Sequence, residues 1–372
     1  MTVHAVLPCG VDDPARPSGG NTYDLQVVAG LRVAGRAVRT VTVPGAWPTP
    51  TPAEAAALGA VLAAVPDGDV VLVDGLVGCG VPEVLAPHAD RLRLVVLVHL
   101  PLADETGLAP AAAAALDAAE RRTLHLATGV VATSAEVGRR LGEHHGVDSR
   151  RLHVAAPGVD PAPATVPSDG GRRLLTVASV TPRKGHDVLV EALGALADVP
   201  WDGVCVGPLD GAPAYAAGVR RRAEALGVAD RFRFVGPLTP AATAERYAVA
   251  DLLVLPSRAE PYGMVVTEAL ARGVPVVASA VDGVPEALGT APDGSLPGAL
   301  VPPGDAAALA MTLRTWLADT GVRGRWRAAA LQRRSALRPW SATVAELLVA
   351  LDAAASGASA PSGASGASGA CR

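Results

Sequence analysis

At 372 residues, and with about 150 residues per domain as the usual scale, the chain accommodates two domains, or one large domain with a tail. Half of it is apolar, only 18% is charged and 3% aromatic, which excludes disorder along its whole length and makes burial depend on many small aliphatic contacts. A net charge of -4 excludes the global basic surplus that binding to a nucleic-acid backbone requires.

The four cysteines, Cys9, Cys79, Cys205 and Cys371, form no C-x-x-C pair. Neither a zinc site nor a disulfide framework is expected, and a reducing cytoplasm fits best. The N-terminus lacks a basic segment leading into a long apolar one, and no apolar run reaches the roughly 18 residues of a membrane span.

Short apolar runs bounded by Gly, Pro and Asp predict strands near 3–8, 38–43, 70–73, 94–99, 129–132 and 152–155, separated by helices near 22–34, 53–64, 80–86, 110–127 and 134–145. Runs such as Val70-Val71-Leu72-Val73 do not alternate, as expected for parallel strands covered on both faces. The proline-rich stretch 161–172 reads as a linker. After it the pattern restarts, with strands near 173–178, 203–207, 232–235, 252–255, 274–278 and 299–301 and helices near 186–197, 212–227, 240–249, 264–271 and 305–318. Two doubly wound α/β units are implied, 1–160 and 173–335. Residues 336–354 carry an amphipathic helix with Val344, Leu347, Leu348 and Leu351 on one face, and the Ser-Gly-Ala repeat 355–372 is expected to be disordered.

The chain has no isoleucine, one asparagine (Asn21) and one lysine (Lys184) against 31 arginines, a pattern of coding bias. A lysine that arginine served equally well would have drifted away, so Lys184 and Asn21 are candidate chemical requirements.

Ligands of open α/β sheets sit beyond the carboxyl ends of the strands. After the first strand, Pro17-Ser18-Gly19-Gly20-Asn21-Thr22 lets backbone approach a ligand and offers helix N–H groups to an anion, unless Asn21 or Thr22 serves only as a cap. His99 ends the strand 94–99 and is placed to donate to a phosphate or sugar oxygen. Arg183-Lys184-Gly185, between a strand and a helix, suits a diphosphate. Glu260 lies in the loop after 252–255 and reaches sugar hydroxyls. Gly263 opens the amides of Met264 and Val265, and Glu268, costly to bury alone in an apolar helix, reaches a ribose.

The pair Glu260 and Glu268, the run from Arg183-Lys184-Gly185 into Asp187-Val188-Leu189-Val190-Glu191, and Ala269-Leu270-Ala271-Arg272-Gly273-Val274-Pro275 followed by Asp282-Gly283-Val284-Pro285-Glu286 resemble family 4 of the retaining glycosyltransferases. The resemblance is densest over 173–305 and extends to Gly19-Gly20 and Pro157-Gly158-Val159-Asp160. It implies a GT-B fold, two Rossmann-like domains facing across a cleft, with the C-terminal helix returning to the first. It further implies a nucleoside diphosphate sugar as donor substrate and no cofactor or metal. Arg183 and Lys184 would take the diphosphate, Glu260 the transferred sugar and Glu268 the ribose. Gly263, Met264 and Val265 would offer amides, Gly20 would approach the phosphate, His99 would face the reacting centre, and backbone around Leu238 would meet the base. Ser179 departs from the pattern, since many members carry Arg there.

Asp67-Gly68-Asp69 imitates a D-x-D metal motif but precedes its strand, so it reads as a turn. The His144-His145 pair and His186 show no ligand spacing with a carboxylate. The clusters Arg139-Arg140, Arg150-Arg151 and Arg220-Arg221-Arg222 read as solvated helix faces, with contact to an anionic membrane surface as the alternative. Rival functions are a sugar-nucleotide 2-epimerase of the same fold and a noncatalytic sugar-nucleotide-binding module. A nicotinamide dehydrogenase is disfavoured, because no G-x-G-x-x-G opens the first helix. The acceptor does not follow from these residues.

Overall fold

Apolar residues in continuous short runs have produced two all-parallel, six-stranded sheets. The computed structural model describes residues 2–13, 18–105, 107–168 and 170–357. The first sheet holds β1 (Thr2–Pro8), β2 (Ala37–Val43), β3 (Val70–Asp74), β4 (Arg93–Val98), β5 (Gly129–Ala132) and β6 (Leu152–Val154) in the order β2-β1-β3-β4-β5-β6. The second holds β7 (Arg173–Val177), β8 (Asp202–Val206), β9 (Phe232–Gly236), β10 (Leu252–Leu255), β11 (Val276–Ser279) and β12 (Gly298–Val301) in the order β12-β11-β10-β7-β8-β9. Helices cover both faces, so every residue of β3, β5, β10 and β11 is buried.

Each sheet changes winding direction once. In the first the chain runs from β1 out to β2 and returns to the other side of β1 as β3. In the second it runs from β7 out to β9 and returns beside β7 as β10. Crevices open beyond the carboxyl ends of strands at such reversals. The candidate residues stand at both.

The differences from expectation have local causes. The first helix, Gly19–Val33, starts three residues early because Ser18 is its cap, its side chain accepting the Asn21 amide. Asn21 and Thr22 are therefore not the cap, and the glycine pair forms the first turn rather than a loop. The helix expected near 80–86 is the short Pro82–Leu85, continued by a 3-10 turn Ala86–His88, and another short helix, Gly75–Gly78, capped by Asp74, precedes it unforeseen. A short helix, Val284–Leu288, was not foreseen; its five residues show no period. His99 lies just past β4. The final helix, Trp340–Ser356, reaches into the segment read as a disordered repeat. From 358 on, with Cys371, that repeat lies outside the described residues, as do Pro17 and Asp169.

The final helix packs on the first sheet's side of the molecule, where Val344, Leu347, Leu351 and Ala354 share a buried cluster with Val3, Tyr23, Leu31 and Val95. Thr343 Oγ1 donates to Ala156 O at 2.7 Å. A Cβ on Gly30 would lie 2.3 Å from Val344 Cγ2, so the small residue permits the close crossing. Leu347 is fully buried, and Leu347→Ala is expected to cost about 2–5 kcal/mol, measurable as a lower midpoint in urea with an unchanged slope.

Candidate active site

Beyond β7 the chain makes a single 3-10 turn, Pro182–Lys184, and enters the helix His186–Gly194 through Gly185. Gly185 has φ 67°, and a Cβ there would stand 2.1 Å from Pro256 O. Only glycine lets this turn press against the loop that follows β10, and that contact brings Lys184 to Glu260. The Lys184 ammonium and the Glu260 carboxylate form an ion pair, and Ser257 Oγ donates to the same carboxylate at 3.1 Å. Burial pulls the Glu260 pKa up, but the charges of Lys184 and Arg183 together outweigh it and hold the carboxyl below its ordinary value. Burial lowers the Lys184 pKa, with Arg183 acting in the same sense and Glu260 against it. Arg183 reaches Ala259 O and Glu105 Oε1, each at 3.4 Å.

Gly263, at φ 92°, opens the helix Met264–Ala271 with no side-chain cap. The amides of its first turn, Met264 and Val265, are among those that a helix start leaves without an intrahelical acceptor. Glu268, one turn on, has a partner that the sequence did not disclose: Tyr247 donates to Glu268 Oε2 at 2.9 Å. Burial raises the Glu268 pKa, against the Tyr247 hydrogen bond and the Arg272 charge. Leu238 lies between β9 and the helix Pro240–Val249, packed on the cluster that contains Tyr247.

The first sheet contributes His99, and with it two residues that sequence reasoning missed. His99 Nε2 lies 2.9 Å from Asp24 Oδ1, and the Asp24 side chain is 1% exposed. Asp74, the last residue of β3, is the third member: one ligand-type atom of each of Asp24, Asp74 and His99 lies within 4.8 Å of the others. Asp74 Oδ1 accepts the Leu76 amide at 2.8 Å. Burial and the neighbouring Asp24 charge push the Asp74 pKa up to about 7. Burial alone would lower His99, but the charge and hydrogen bond of Asp24, helped by Asp74, raise it to about 9. A Cβ on Gly20 would stand 3.4 Å from the His99 ring, so Gly20 and His99 are neighbours.

The two halves meet at this level. A Cβ on Gly19 would lie 3.5 Å from Met264 Sδ. Arg140 pairs with Asp104 at 2.7 Å and approaches Asp282 at 3.6 Å, and Glu286 Oε2 accepts the Ala135 amide at 2.9 Å. Asp282 is the sole non-glycine residue of positive φ, 41°, among the described residues. Its Oδ2 accepts the Glu260 amide at 2.7 Å, so the side chain that sets the Glu260 loop also faces Arg140 of the other half.

Features set aside in the sequence have ordinary partners, with one correction. Asp67 pairs with Arg91 and Asp69 with His4, at the amino end of β3, away from the site. Arg139, Arg150 and Arg222 pair with Glu136, Asp148 and Glu191, which neutralises much of the basic clusters. His186 is buried, 3.3 Å from Cys205 Sγ, and burial lowers its pKa to about 4. The histidine pair does meet carboxylates: His144 lies 2.6 Å from Asp117 and His145 3.2 Å from Glu120. Spacing along the chain concealed this, because the carboxylates come from the neighbouring helix.

Two family models divide the chain between them: one described as Glycosyltransferase Family 4 matches residues 5–163, and one described as Glycosyl transferases group 1 matches 163–333. The chain belongs to the family 4 glycosyltransferases. Curated relatives include proteins named D-inositol 3-phosphate glycosyltransferase from Jonesia denitrificans, 32% identical over 62% of this chain and 58% of the relative, and from Geodermatophilus obscurus, 36% identical over 63% and 55%. The match therefore spans little more than half the length of those relatives. Among solved structures, Anabaena HepE in complex with UDP-glucose has a TM-score of 0.74 at 19% identity, over 95% of this chain and 100% of that one. Sucrose-phosphate synthase from Thermosynechococcus elongatus has 0.73 at 23%, over 94% and 98%. These likenesses establish the GT-B fold of two facing α/β domains. No helix among the described residues is long and apolar enough to cross a membrane.

Proposed function

We propose that this family 4 chain is a retaining glycosyltransferase that moves a hexosyl group from a nucleoside diphosphate sugar to an acceptor hydroxyl without a metal in the chemical step. One observation carries the reading: Arg183, Lys184, Glu260 and the uncapped helix start at Met264 share the switch-point edge of the second sheet, with Gly19 of the first half in reach of Met264. In this reading residues 1–160 hold the acceptor, 161–172 link, 173–335 bind the donor, and 336–354 return to the first domain. A cytoplasmic setting suits Cys9, Cys79 and Cys205, all free.

The barrier is departure of a diphosphate from an anomeric carbon of oxocarbenium character, so negative charge grows on the leaving oxygen. Arg183, Lys184 and the helix start oppose that charge. Glu260 accepts from hydroxyls of the transferred sugar. Glu268, with Tyr247 on one oxygen, has the other for the ribose, and Leu238 backbone lies beside the base. The acceptor oxygen bonds to the anomeric carbon on the face the diphosphate leaves, and its proton passes to the departing phosphate oxygen. No carboxylate nucleophile is required.

Thermal-shift titration with UDP-, GDP- and ADP-sugars tests the donor, since a ligand at 100 times its Kd stabilises by about 2.7 kcal/mol. UDP-glucose comes first because HepE binds it, and D-inositol 3-phosphate joins the acceptor panel because the relatives are named for it. Release of nucleoside diphosphate with formation of a glycoside of unchanged anomeric configuration is the expected result. Sugar interconversion without acceptor would favour the epimerase, and binding without turnover the noncatalytic module. Turnover is also expected to survive EDTA, because the protein's cations face the diphosphate; an absolute need for Mg2+ or Mn2+ in the chemical step would overturn the clamp.

A further inference from the structure

The His144-His145 pair lies outside the donor cleft, and the donor chemistry does not use it. The helix Pro110–Leu126 presents Asp117 and Glu120, three residues apart, to the last turn of the helix Ala135–His145. One ligand-type atom of each of Asp117, His144 and His145 lies within 4.8 Å of the others. A cavity of about 360 Å3 adjoins them, lined also by Asp104 and Arg140. His144 and Asp117 alone would be an ordinary ion pair, 2.6 Å apart with His144 well exposed.

His145 is what an ordinary ion pair does not explain. Its side chain is 2% exposed, and Nε2 faces Glu120 Oε2 at 3.2 Å, with Glu120 itself 1% exposed. In the tautomer that donates from Nε2 to this carboxylate, the lone pair is on Nδ1. Nδ1 is buried and has no hydrogen-bond partner, on a ring that lines the cavity. An imidazole oriented by a buried carboxylate through one nitrogen, with the other nitrogen unused, is the arrangement of a metal-bound histidine. The pair also ends a helix, where carbonyl dipoles favour a cation.

We propose that Asp117, His144 and His145 form a site for one divalent cation of the zinc class, with Glu120 orienting His145 and the cavity leaving room for coordinated water. Two imidazoles and a carboxylate suit zinc and its first-row neighbours better than Mg2+ or Ca2+. The bound ion would join the two helices, and Glu120 behind it already holds the segment after His99 whether or not the ion is present. Both Glu120 oxygens accept the Leu102 amide, at 3.3 and 3.4 Å, three residues beyond His99. The role is structural and independent of the donor chemistry proposed above.

The full chain, stripped with EDTA and desalted, is titrated with ZnCl2 by calorimetry and by thermal shift. One saturable Zn2+ per chain and a raised Tm are expected, with Co2+ giving a visible absorption band of low coordination number. His144→Ala removes an exposed ligand, which preserves the fold, and should weaken Zn2+ binding at least tenfold, as should Asp117→Asn. Glu120→Gln should weaken it about 10- to 100-fold, with folding checked by Tm in EDTA. A wild-type chain that binds no Zn2+ saturably, or an unchanged affinity in His144→Ala, overturns the proposal.

Discussion

Replacing Lys184 by alanine is expected to lower turnover about 30- to 1000-fold, the equivalent of roughly 2–4 kcal/mol of transition-state stabilisation lost with a donor to a developing anion. Its pairing with Glu260 adds a second effect. Without the ammonium, a buried carboxylate loses its main counter-charge, so the alanine variant should also melt lower. The two losses separate in the double variant Lys184→Ala/Glu260→Gln, which removes both charges and should regain melting temperature without regaining turnover. Lys184→Arg keeps the charge but asks a larger planar fork to fit a side chain that is 13% exposed, in a turn pressed against Pro256. At least a tenfold loss of turnover with an intact fold is expected there. Wild-type activity in the arginine variant would make the single lysine an accident of composition and leave Arg183 as the leading phosphate ligand.

What the sequence disclosed depended on whether the needed partner was local. The short runs located all twelve strands to within a residue or two; in β3, β5, β10 and β11 burial on both faces leaves an unbroken apolar pattern, whereas the mostly exposed β2 shows as a run of Val and Thr. Lys184, Glu260 and His99 stood out because each closes or follows such a run. Asp24 did not, since a carboxylate inside a helix reads as surface until its burial is known. One signal was available: it lies four residues after Gly20, on the same helix face, beside the aromatic Tyr23. Asp74 was within reach of the rule that selected His99, as a polar residue at the carboxyl end of a buried strand, and its neighbour Gly75 disguised it as the start of a turn. The Tyr247 hydroxyl on Glu268, and Glu120 behind His145, come from other elements and leave no trace in spacing.

Asp24→Asn is expected to move the pH dependence of turnover. The groups facing His99 are Asp24 and Tyr23 from the first helix and Asp74 from the end of β3, and the Tyr23 phenol is pushed up by burial, so it stays neutral. Asp24 holds Nε2, and in the function proposed above the other ring nitrogen, Nδ1, gives a hydrogen bond to the nucleotide sugar while the ring is cationic. The folded His99 pKa is raised above its ordinary value, to about 9. The pair's contribution to stability is therefore full below about 6.5, and it is lost as pH rises through about 9. Turnover that needs the imidazolium should hold to about pH 9 and then fall. Asp74, near 7, ionises within that range and adds negative charge, which supports the cation above neutrality. With Asn at position 24 the main counter-charge is gone while burial remains, so the pKa drops to the ordinary value of about 6.5 or lower. At pH 8 the cationic fraction then falls about thirtyfold, and turnover should fall with it, recovering as the assay is taken toward pH 6. The amide keeps the size of the carboxylate, so a purely structural role for Asp24 would lower turnover equally at every pH. An alkaline limb that stays near pH 9 in Asp24→Asn would show that His99 acts without its charge.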